Sequence, residues 1–246
     1  MELLYGRNAV LEALRANRRK LGRLLIADGI KEGESMQAIN TIARERRMQV
    51  AKVQRSELDK RTAGANHQGI ALECGAYPYV EVDDIIELAR ERGEQPLILI
   101  FDHLQDPQNI GTLMRTAEIV GAHGIIFPDR RSASITPAVI NASAGAVEHL
   151  YVAQITNIAQ TIKHLQEYNI WVAGVEDDER AVDFDKANLR GALALVIGAE
   201  GPGLARLTRE RCDLLVRLPM RGNVASLNAA TAGSIILYHA WRVREK

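Results

Sequence analysis

Short apolar runs alternate with helix-forming segments through the second half of this chain, and this alternation constrains the fold most. The runs have the length of buried strands and lie at 97–101, 124–127, 170–173, 193–197 and 214–218. The helix-forming segments between or after them are 110–120, 158–167, 204–211 and 227–243. Strands that are apolar on both faces are typical of a parallel sheet covered by helices. The sequence therefore predicts an α/β domain with a parallel sheet.

The first 75 residues predict a smaller α/β module. Apolar positions at helical spacing indicate a helix over 6–16, and Ser35 has the character of an N-cap for a second helix. Strands are expected at 24–26, 49–53 and 69–72. A module of this length lies near the lower end of normal domain sizes.

A break in the pattern separates the two parts. Residues 75–79 contain Gly and Pro, and an acidic helix candidate follows over 82–92. We therefore expect an N-terminal domain at 1–75, a linker at 76–94 and a second domain at 95–246.

The zero net charge hides an asymmetry between the two parts. Residues 1–75 carry 14 Lys and Arg against 9 Asp and Glu, whereas the rest carries 17 against 22. A basic unit of this kind is typical of proteins that bind a polyanion such as nucleic acid. Ordinary solvated helix surfaces are the alternative explanation.

Other features of the sequence exclude several classes of protein. No apolar run is long enough to cross a bilayer, and the first residues lack the pattern of a signal peptide. Cys74 and Cys212 are the only cysteines, and the six histidines show no ligand spacing. We expect a reduced, cytoplasmic protein without a disulfide, a structural zinc or a metal cofactor.

Three polar motifs follow predicted strands and precede predicted helices. They are Asp106–Arg115 (DPQNIGTLMR), residues 196–204 (VIGAEGPGL) and residues 218–228 (LPMRGNVASLN). Open α/β sheets bind their ligands outside the carboxyl ends of the strands. The three motifs therefore predict one binding site at that edge.

Each motif also has a simpler structural explanation. Asn109 lies where a helix begins, so it could be an N-cap, and Arg115 could be a surface arginine. The 198–203 loop could be only a tight turn before a helix, and Ser226 only a cap. The loop does not have the glycine spacing of a dinucleotide site, and Glu200 would repel a pyrophosphate.

Taken together, the motifs resemble those of a known family. The order Asn-x-Gly-x-x-x-Arg, Gly-x-Glu-Gly and Ser-Leu-Asn is similar to that of the SpoU (TrmH) branch of the SPOUT RNA methyltransferases. Tyr5-Gly6 with Ala9-Val10, and residues 67–70 (HQGI), resemble the N-terminal RNA-binding module of the RlmB group, which methylates guanosine 2′-oxygens of 23S rRNA. The resemblance extends over the whole chain.

The resemblance implies a fold, a cofactor and partners. The fold would be a parallel-sheet catalytic domain with a C-terminal trefoil knot, preceded by a small α/β RNA-binding domain. The cofactor would be S-adenosylmethionine, and the partners 23S rRNA or a large-subunit precursor and a second copy of the chain. The active-site positions would be Asn109, Arg115, Glu200, Ser226 and Asn228. The cofactor positions would be Gly198, Gly201, Leu218, Met220 and Leu227.

The implied reaction moves a methyl group to a ribose 2′-hydroxyl. In this family the counterpart of Arg115 is often described as the general base, but a neutral arginine is costly because its pKa exceeds about 12. Stabilisation of the developing alkoxide, or contact with the adjacent phosphate, is the role we favour for Arg115. Asn109 and Glu200 would then orient Arg115 and the ribose, and Ser226 and Asn228 would shape the loop.

Three other functions fit parts of the sequence. A tRNA ribose methyltransferase would use the same chemistry on another substrate. A non-catalytic RNA-binding ribosome-assembly factor would keep the basic module, but it would not need Asn109 or Arg115. A nicotinamide-dependent oxidoreductase is disfavoured because the glycine spacing is not that of a phosphate-binding loop.

Overall fold

The structure is a computed structural model that describes residues 1–129, 134–223 and 226–244. Its strands, in chain order, are β1 (Glu2–Tyr5), β2 (Leu21–Ala27), β3 (Val50–Val53), β4 (Ile70–Cys74), β5 (Leu97–Asp102), β6 (Gly124–Pro128), β7 (Tyr151–Ile155), β8 (Trp171–Val175), β9 (Val182–Asp183), β10 (Leu193–Gly198) and β11 (Leu214–Arg217). Its α-helices are α1 (Arg7–Ala16), α2 (Glu34–Glu45), α3 (Arg55–Arg61), α4 (Val82–Glu91), α5 (Pro107–Ile119), α6 (Pro137–Ala142), α7 (Ile158–Glu167), α8 (Arg206–Arg211) and α9 (Ala229–Arg244). A 3₁₀ helix spans Ala146–His149.

The chain forms two compact units. Unit 1 comprises Met1–Pro78 and Ile135–His149, and unit 2 comprises Tyr79–Ser134 and Leu150–Lys246. These units differ from the predicted domains in two places. Helix α4 lies in unit 2 because Ile85 and Ile86 are buried in its core, and segment Ile135–His149 packs with unit 1 although it follows β6 in sequence.

Unit 1 is built on a four-stranded mixed sheet with the order β1-β4-β2-β3. Strands β2 and β3 are parallel, whereas β4 runs antiparallel to both of its neighbours. The two N-terminal motifs meet here: Gly6 N–H donates to the Ile70 carbonyl, and Arg7 N–H donates to Gln68 Oε1 at 2.9 Å. The prediction of an α/β module is confirmed.

One detail of the predicted module is wrong. Ser35 is not an N-cap, because α2 already begins at Glu34 and its N-cap is Gly33, which supplies no side-chain hydrogen bond. The apolar face of α2 is nevertheless buried, at Met36 and Ile39.

A buried ion pair joins the two segments of unit 1. Arg19 Nε and Nη2 each donate to a Glu148 carboxylate oxygen at 2.9 Å, and both side chains are at most 1% exposed. The Arg19 guanidinium also lies 4.9 Å from the centroid of the Tyr77 ring, and Tyr77 Oη donates to the Val147 carbonyl. Burial is the main cause that raises the pKa of the Glu148 carboxyl.

Unit 2 is built on a seven-stranded parallel sheet with the order β7-β6-β5-β10-β8-β11-β9. Every residue of β5, β6 and β10 is buried, as their apolar runs predict for strands covered on both faces. Strands β6 and β7 lie on one side of β5, and the strands that follow them in the chain lie on its other side. Parallel sheets typically bind their ligands at such a change in the direction of strand order. The predicted parallel sheet is confirmed, and the trefoil knot stays a prediction.

Two kinds of feature are absent from the described residues. None of the helices in the described ranges has the length and apolar character to span a bilayer. In the same part of the chain, no group of three or more His, Cys, Asp and Glu side chains is arranged to hold a metal ion.

Candidate functional site

The carboxyl ends of four neighbouring strands in unit 2 carry the predicted motifs. Strands β5 and β10 pair in register up to Asp102 and Gly198, and β8 and β11 continue the same edge. Asp102 is fully buried, and its Oδ2 accepts a hydrogen bond from the Ala205 amide at 2.7 Å. This bond fixes the chain that leaves the 198–203 loop against the end of β5.

The N-terminus of α5 is capped by a residue other than Asn109, so the Asn109 side chain is available for other contacts. Asp106 is the N-cap: its carboxylate accepts from the amides of Gln108 and Asn109, and Pro107 occupies the first helical position. Asn109 is therefore the third residue of the helix and not its cap. Its side chain is 7% exposed, and its Oδ1 accepts a hydrogen bond from Asn228 Nδ2 at 2.8 Å.

The Asn228 amide connects all three motifs. Its oxygen accepts from the Ala230 and Thr231 amides at 3.0 and 3.1 Å, and so caps α9. Its nitrogen donates both to Asn109 Oδ1 and to Glu200 Oε1. An aspartate could supply the cap but not the two donors, and a serine is too short to do both. The structure thus gives a reason for an asparagine at this position.

Residues 198–203 form a tight turn that needs its glycines. A Cβ at Gly198 would overlap the backbone of Gly203, and Gly201 has a φ of 84°. The turn is closed by a hydrogen bond from Gly203 N–H to the Ala199 carbonyl at 3.0 Å. The turn places the Glu200 carboxylate where it accepts a hydrogen bond from Asn228 Nδ2.

A cavity of about 470 Å³ lies beside this turn, within the usual size range of small-molecule sites. Of the ten residues predicted for the site, eight line it: Gly198, Glu200, Gly201, Leu218, Met220, Ser226, Leu227 and Asn228. Leu227 and Met220 remain 46% and 40% exposed there, so the cavity has apolar walls open to a ligand. Val224 and Ala225, which belong to the third motif, lie outside the described residues.

The cavity has an acidic wall that the sequence interpretation missed. Glu176 and Asp177 line it directly after β8. The signal was the acidic run at 176–179 behind a predicted strand. Glu176 is held by Arg209, which donates to both of its carboxylate oxygens and whose own pKa is raised by this contact.

Arg217 adds a cation to the same cavity. It lies at the end of β11, and its Nε donates to Asp183 Oδ1 at 3.0 Å. The Lys186 ammonium and then the Arg217 guanidinium lower the pKa of the Asp183 carboxyl. The cavity therefore presents carboxylates, an arginine and apolar side chains to one ligand.

Asn109 and Arg115 do not line this cavity. Asn109 is connected to the rim of the cavity by the hydrogen bond that it accepts from Asn228. It lines a neighbouring depression together with His103, Asp106 and Glu200. Arg115 lies in the middle of α5 and is exposed, with no hydrogen bond or ion pair to the described residues. The structure thus joins the predicted site residues with the exception of Arg115.

The chemistry open to this arrangement follows from its side chains. The apolar walls of the cavity suit an apolar part of a ligand, and its carboxylates suit hydroxyl or ammonium groups. An elongated ligand that has both kinds of group therefore fits the cavity. A second substrate could reach the exposed Glu200 and the Asn109 depression next to it. The geometry suits a transfer between two bound molecules.

Sequence comparisons show which proteins this chain is similar to. The profile of the SpoU rRNA Methylase family matches residues 96–238, and a profile described as RNA 2′-O ribose methyltransferase substrate binding matches residues 3–80. A similar relative is YacO of Bacillus subtilis (strain 168), which is named as a TrmH family tRNA/rRNA methyltransferase. The two chains are 43% identical over 243 residues, which is 99% of this chain and 96% of YacO.

Solved structures show the same fold. The SpoU methyltransferase AviRb from Streptomyces viridochromogenes, in complex with AdoMet, aligns with a TM-score of 0.80 over 98% of this chain and 89% of AviRb, at 23% identity. An AdoMet-bound rRNA methyltransferase from Sinorhizobium meliloti aligns with a TM-score of 0.79 over 98% of this chain and 87% of its own, at 22% identity. Both alignments include both units.

Proposed function

Because this chain belongs to the SpoU rRNA methylase family, we propose that it transfers a methyl group from S-adenosylmethionine to a ribose 2′-hydroxyl of RNA. The proposed target is a guanosine of 23S rRNA. The observation that carries the proposal is the Asn228 amide, which joins Asn109, Glu200 and the start of α9 at the rim of the cavity.

The residues around the cavity fit S-adenosylmethionine. Leu218, Met220 and Leu227 offer apolar contacts, and the backbone of the 198–203 turn offers hydrogen-bonding groups. Glu176 and Asp177 are suited to the hydroxyl and ammonium groups of such a molecule. When bound, the cofactor supplies a methyl group already activated on a sulfonium.

The chain itself must then place the ribose and stabilise the charge that develops at its 2′-oxygen. Alignment of the 2′-oxygen with the methyl group can lower the barrier of such a transfer by roughly 7 to 11 kcal/mol. Asn228 holds the Glu200 carboxylate and the Asn109 amide in fixed positions at the rim, where the ribose would enter. Arg115 would stabilise the developing alkoxide or contact the adjacent phosphate. Ser226 would shape the loop around cofactor and nucleotide.

A homodimer would bring Arg115 into such a site. Arg115 and Ile119 are one turn apart on α5, and α9 carries Ile235 and Tyr238 beside it. Ile119, Ile235 and Tyr238 are 62%, 41% and 49% exposed. An apolar surface of this kind indicates a protein partner, and a second copy of the chain is the partner that we propose.

We expect charged substitutions on this surface to break the dimer. Tyr238→Glu combined with Ile235→Glu should shift the protein from dimer to monomer in sedimentation velocity and abolish methyl transfer, because burying two carboxylates is unfavourable. Tyr168→Glu is the matched control, since Tyr168 is 42% exposed elsewhere on unit 2. A wild-type monomer, or a double variant that stays dimeric, would contradict the proposal.

Methyl transfer from labelled S-adenosylmethionine to separated 23S rRNA, 16S rRNA and tRNA tests the function. We expect label in 23S rRNA at a guanosine 2′-oxygen, mapped by resistance to alkaline cleavage. Arg115→Ala should lower the rate by roughly 100-fold because it removes a stabilising cation. Arg90→Ala changes a 68% exposed helix arginine that pairs with Glu87, and it should not lower the rate.

The other results of the methyl-transfer experiment distinguish between the alternative functions. Label in tRNA alone would keep the chemistry and replace the substrate, which is the second candidate because the name of YacO includes tRNA. A near-normal rate of Arg115→Lys in a single turnover would count against alkoxide stabilisation by Arg115. No label in any RNA, together with no binding of S-adenosylmethionine, would favour a non-catalytic RNA-binding factor.

A further inference from the structure

An ion pair lies behind one wall of the cavity beside the 198–203 turn. Glu176 follows β8 and lines the cavity, and its side chain is 12% exposed. Arg209, in α8, donates from Nε to one of the Glu176 carboxylate oxygens and from Nη2 to the other, both at 2.5 Å. Among the described residues that line the cavity, Glu176 is included and Arg209 is not. Arg209 therefore acts on a bound ligand through Glu176.

The Glu176 carboxylate also packs against the end of the 198–203 turn. A Cβ at Gly203 would lie 2.6 Å from Glu176 Oε1, so only a glycine leaves room for the carboxylate there. The φ of Gly203 is 69°, which also favours glycine. On the other side, Arg209 Nη2 donates to the carbonyl of the buried Leu204 at 3.5 Å. The carboxylate is therefore held between the turn and the guanidinium.

The contact with Arg209 fixes the carboxylate and compensates its charge. Contacts of this kind, with two parallel N–H groups on two oxygens, are both strong and directional. Each carboxylate oxygen has two lone-pair sites, so each can accept one hydrogen bond more than the one from Arg209. Because the ion pair has no net charge, it suits a neutral donor better than a cation. Glu176 thus offers a ligand hydroxyl an acceptor in a fixed position.

Asp177, the next residue, differs from Glu176 in its surroundings. It lines the same cavity but is exposed, and its side chain makes no hydrogen bond or ion pair with the part of the chain that the structure describes. Its neighbours Glu176 and Asp178 pair with Arg209 and Arg180. A carboxylate without a counter-charge attracts a cation. The ammonium group of a ligand therefore suits Asp177, and a hydroxyl group suits Glu176.

We propose that Arg209 is a positioning residue for S-adenosylmethionine, because it holds the Glu176 carboxylate where that group accepts a hydrogen bond from a ribose hydroxyl of the cofactor. The proposal rests on the proposed function for the identity of the ligand. Without Arg209, the carboxylate is free to turn from Gly203 toward solvent. The ribose of the cofactor then loses its acceptor, whereas the groups at the rim around Asn228 keep their contacts.

Calorimetry with the full-length protein tests this role. The probes are S-adenosylhomocysteine, which is the thioether left after methyl transfer, and its 2′-deoxy and 3′-deoxy forms. The wild type should bind one of the deoxy forms roughly tenfold more weakly than the parent, since a hydrogen bond to a charged group is lost. Arg209→Gln should bind the parent more weakly by the same factor and no longer distinguish it from that deoxy form. A purely structural effect would weaken the binding of all three probes equally.

Three further variants complete the experiment. Arg206→Gln is the matched control, because Arg206 lies in the same helix, is 78% exposed and pairs with Glu210; it should keep wild-type affinity. Arg209→Lys keeps the charge but not the two parallel donors, so it should recover part of the lost affinity. Adding Arg209→Gln to Glu176→Ala should cause no further loss, since a residue that acts through another has no effect without it. Thermal unfolding of each variant shows that it folds.

Methyl transfer by the same preparations separates affinity from chemistry. In Arg209→Gln the KM for S-adenosylmethionine should rise roughly tenfold with little change in kcat, the pattern expected when a contact common to ground state and transition state is removed. A fall in kcat at an unchanged KM would contradict a role in holding the cofactor.

The outcomes distinguish this proposal from the proposed function. If the wild type methylates RNA, then wild-type affinity in Arg209→Gln, or equal losses for all three probes, would overturn the role of Arg209 alone. Equal binding of the parent and both deoxy forms by the wild type would overturn it as well. If the wild type binds the cofactor without methylating RNA, and Arg209→Gln loses the discrimination, the role of Arg209 holds and the proposed function fails. A wild type that binds none of the probes would contradict both.

Discussion

Replacing Asn228 by aspartate is expected to lower the rate of methyl transfer by about 100-fold, the size of effect that small misplacements in an active site produce. The new carboxylate would still accept from Ala230 and Thr231 and cap α9. It could no longer donate to Asn109 or Glu200, so the new carboxylate and the Glu200 carboxylate would face each other with no donor between them. The Glu200 carboxylate would then move away from the rim of the cavity.

The stability of the protein should hardly change in this variant. An aspartate is as good an N-cap as an asparagine and interacts favourably with the helix dipole, so we expect the free energy of unfolding to stay within about 1 kcal/mol of the wild type. Activity is measured as kcat/KM for RNA, affinity for S-adenosylmethionine by calorimetry, and stability by thermal unfolding. Loss of activity without loss of stability is the expected combination.

A matched control makes the same chemical change at another helix. Asn157 caps α7 by accepting from the Gln160 amide, and its side-chain nitrogen has no hydrogen bond within the described residues. Asn157→Asp should therefore keep both activity and stability. Wild-type activity in Asn228→Asp would show that the two donated hydrogen bonds are not needed, and a large loss of stability would show that the residue acts mainly through folding.

Replacing Glu148 by glutamine is expected to destabilise unit 1 by about 3 kcal/mol, the lower end of the cost of breaking a buried ion pair. The change leaves the Arg19 guanidinium buried and replaces the two carboxylate oxygens of Glu148 that it contacts by an amide with one acceptor and one donor. The cost is not larger because Glu2 and the Tyr77 ring still contact Arg19. Burial is the main cause that raises the pKa of the Glu148 carboxyl, so burying this carboxylate carries a cost of its own.

Hydrogen exchange measured by mass spectrometry locates this effect. Both tryptophans lie in unit 2, at Trp171 and Trp241, so tryptophan fluorescence would not report the change. We expect protection to fall in peptides from 1–78 and 135–149, and to stay unchanged in β5 and β10. Glu57→Gln is the control, because Glu57 is 44% exposed and such pairs contribute at most about 1 kcal/mol. Equal protection in Glu148→Gln and the wild type would show that the ion pair does not hold segment 135–149 in unit 1.

Segment 135–149 also shows where sequence comparison and structure differ. It lies inside the region 96–238 that the SpoU rRNA Methylase profile matches, yet it packs in unit 1. Glu148 lies 129 positions after Arg19 in the sequence. No local pattern marks this pairing, because a buried ion pair depends on which surfaces meet after folding.

The fold class could be predicted because its signals are local. The buried strands β5, β6 and β10 are apolar throughout, and helices with one apolar face separate them. The short strands β1, β7 and β9 were missed. Strand β9 has only two residues and is defined by its pairing with β11, which the sequence does not show.

The sequence by itself determined the parallel sheet, the place of the three motifs at its carboxyl edge and the family resemblance, since strands, turns and motifs depend on neighbours in the chain. The tertiary structure alone decided what each side chain does. It assigned the cap of α5 to Asp106, connected Asn109 to Asn228 across 119 positions and added Glu176 and Asp177 to the cavity. It also left Arg115 exposed. Side-chain amides and carboxylates take whichever partners folding brings within about 3 Å, and that distance is not encoded in local periodicity.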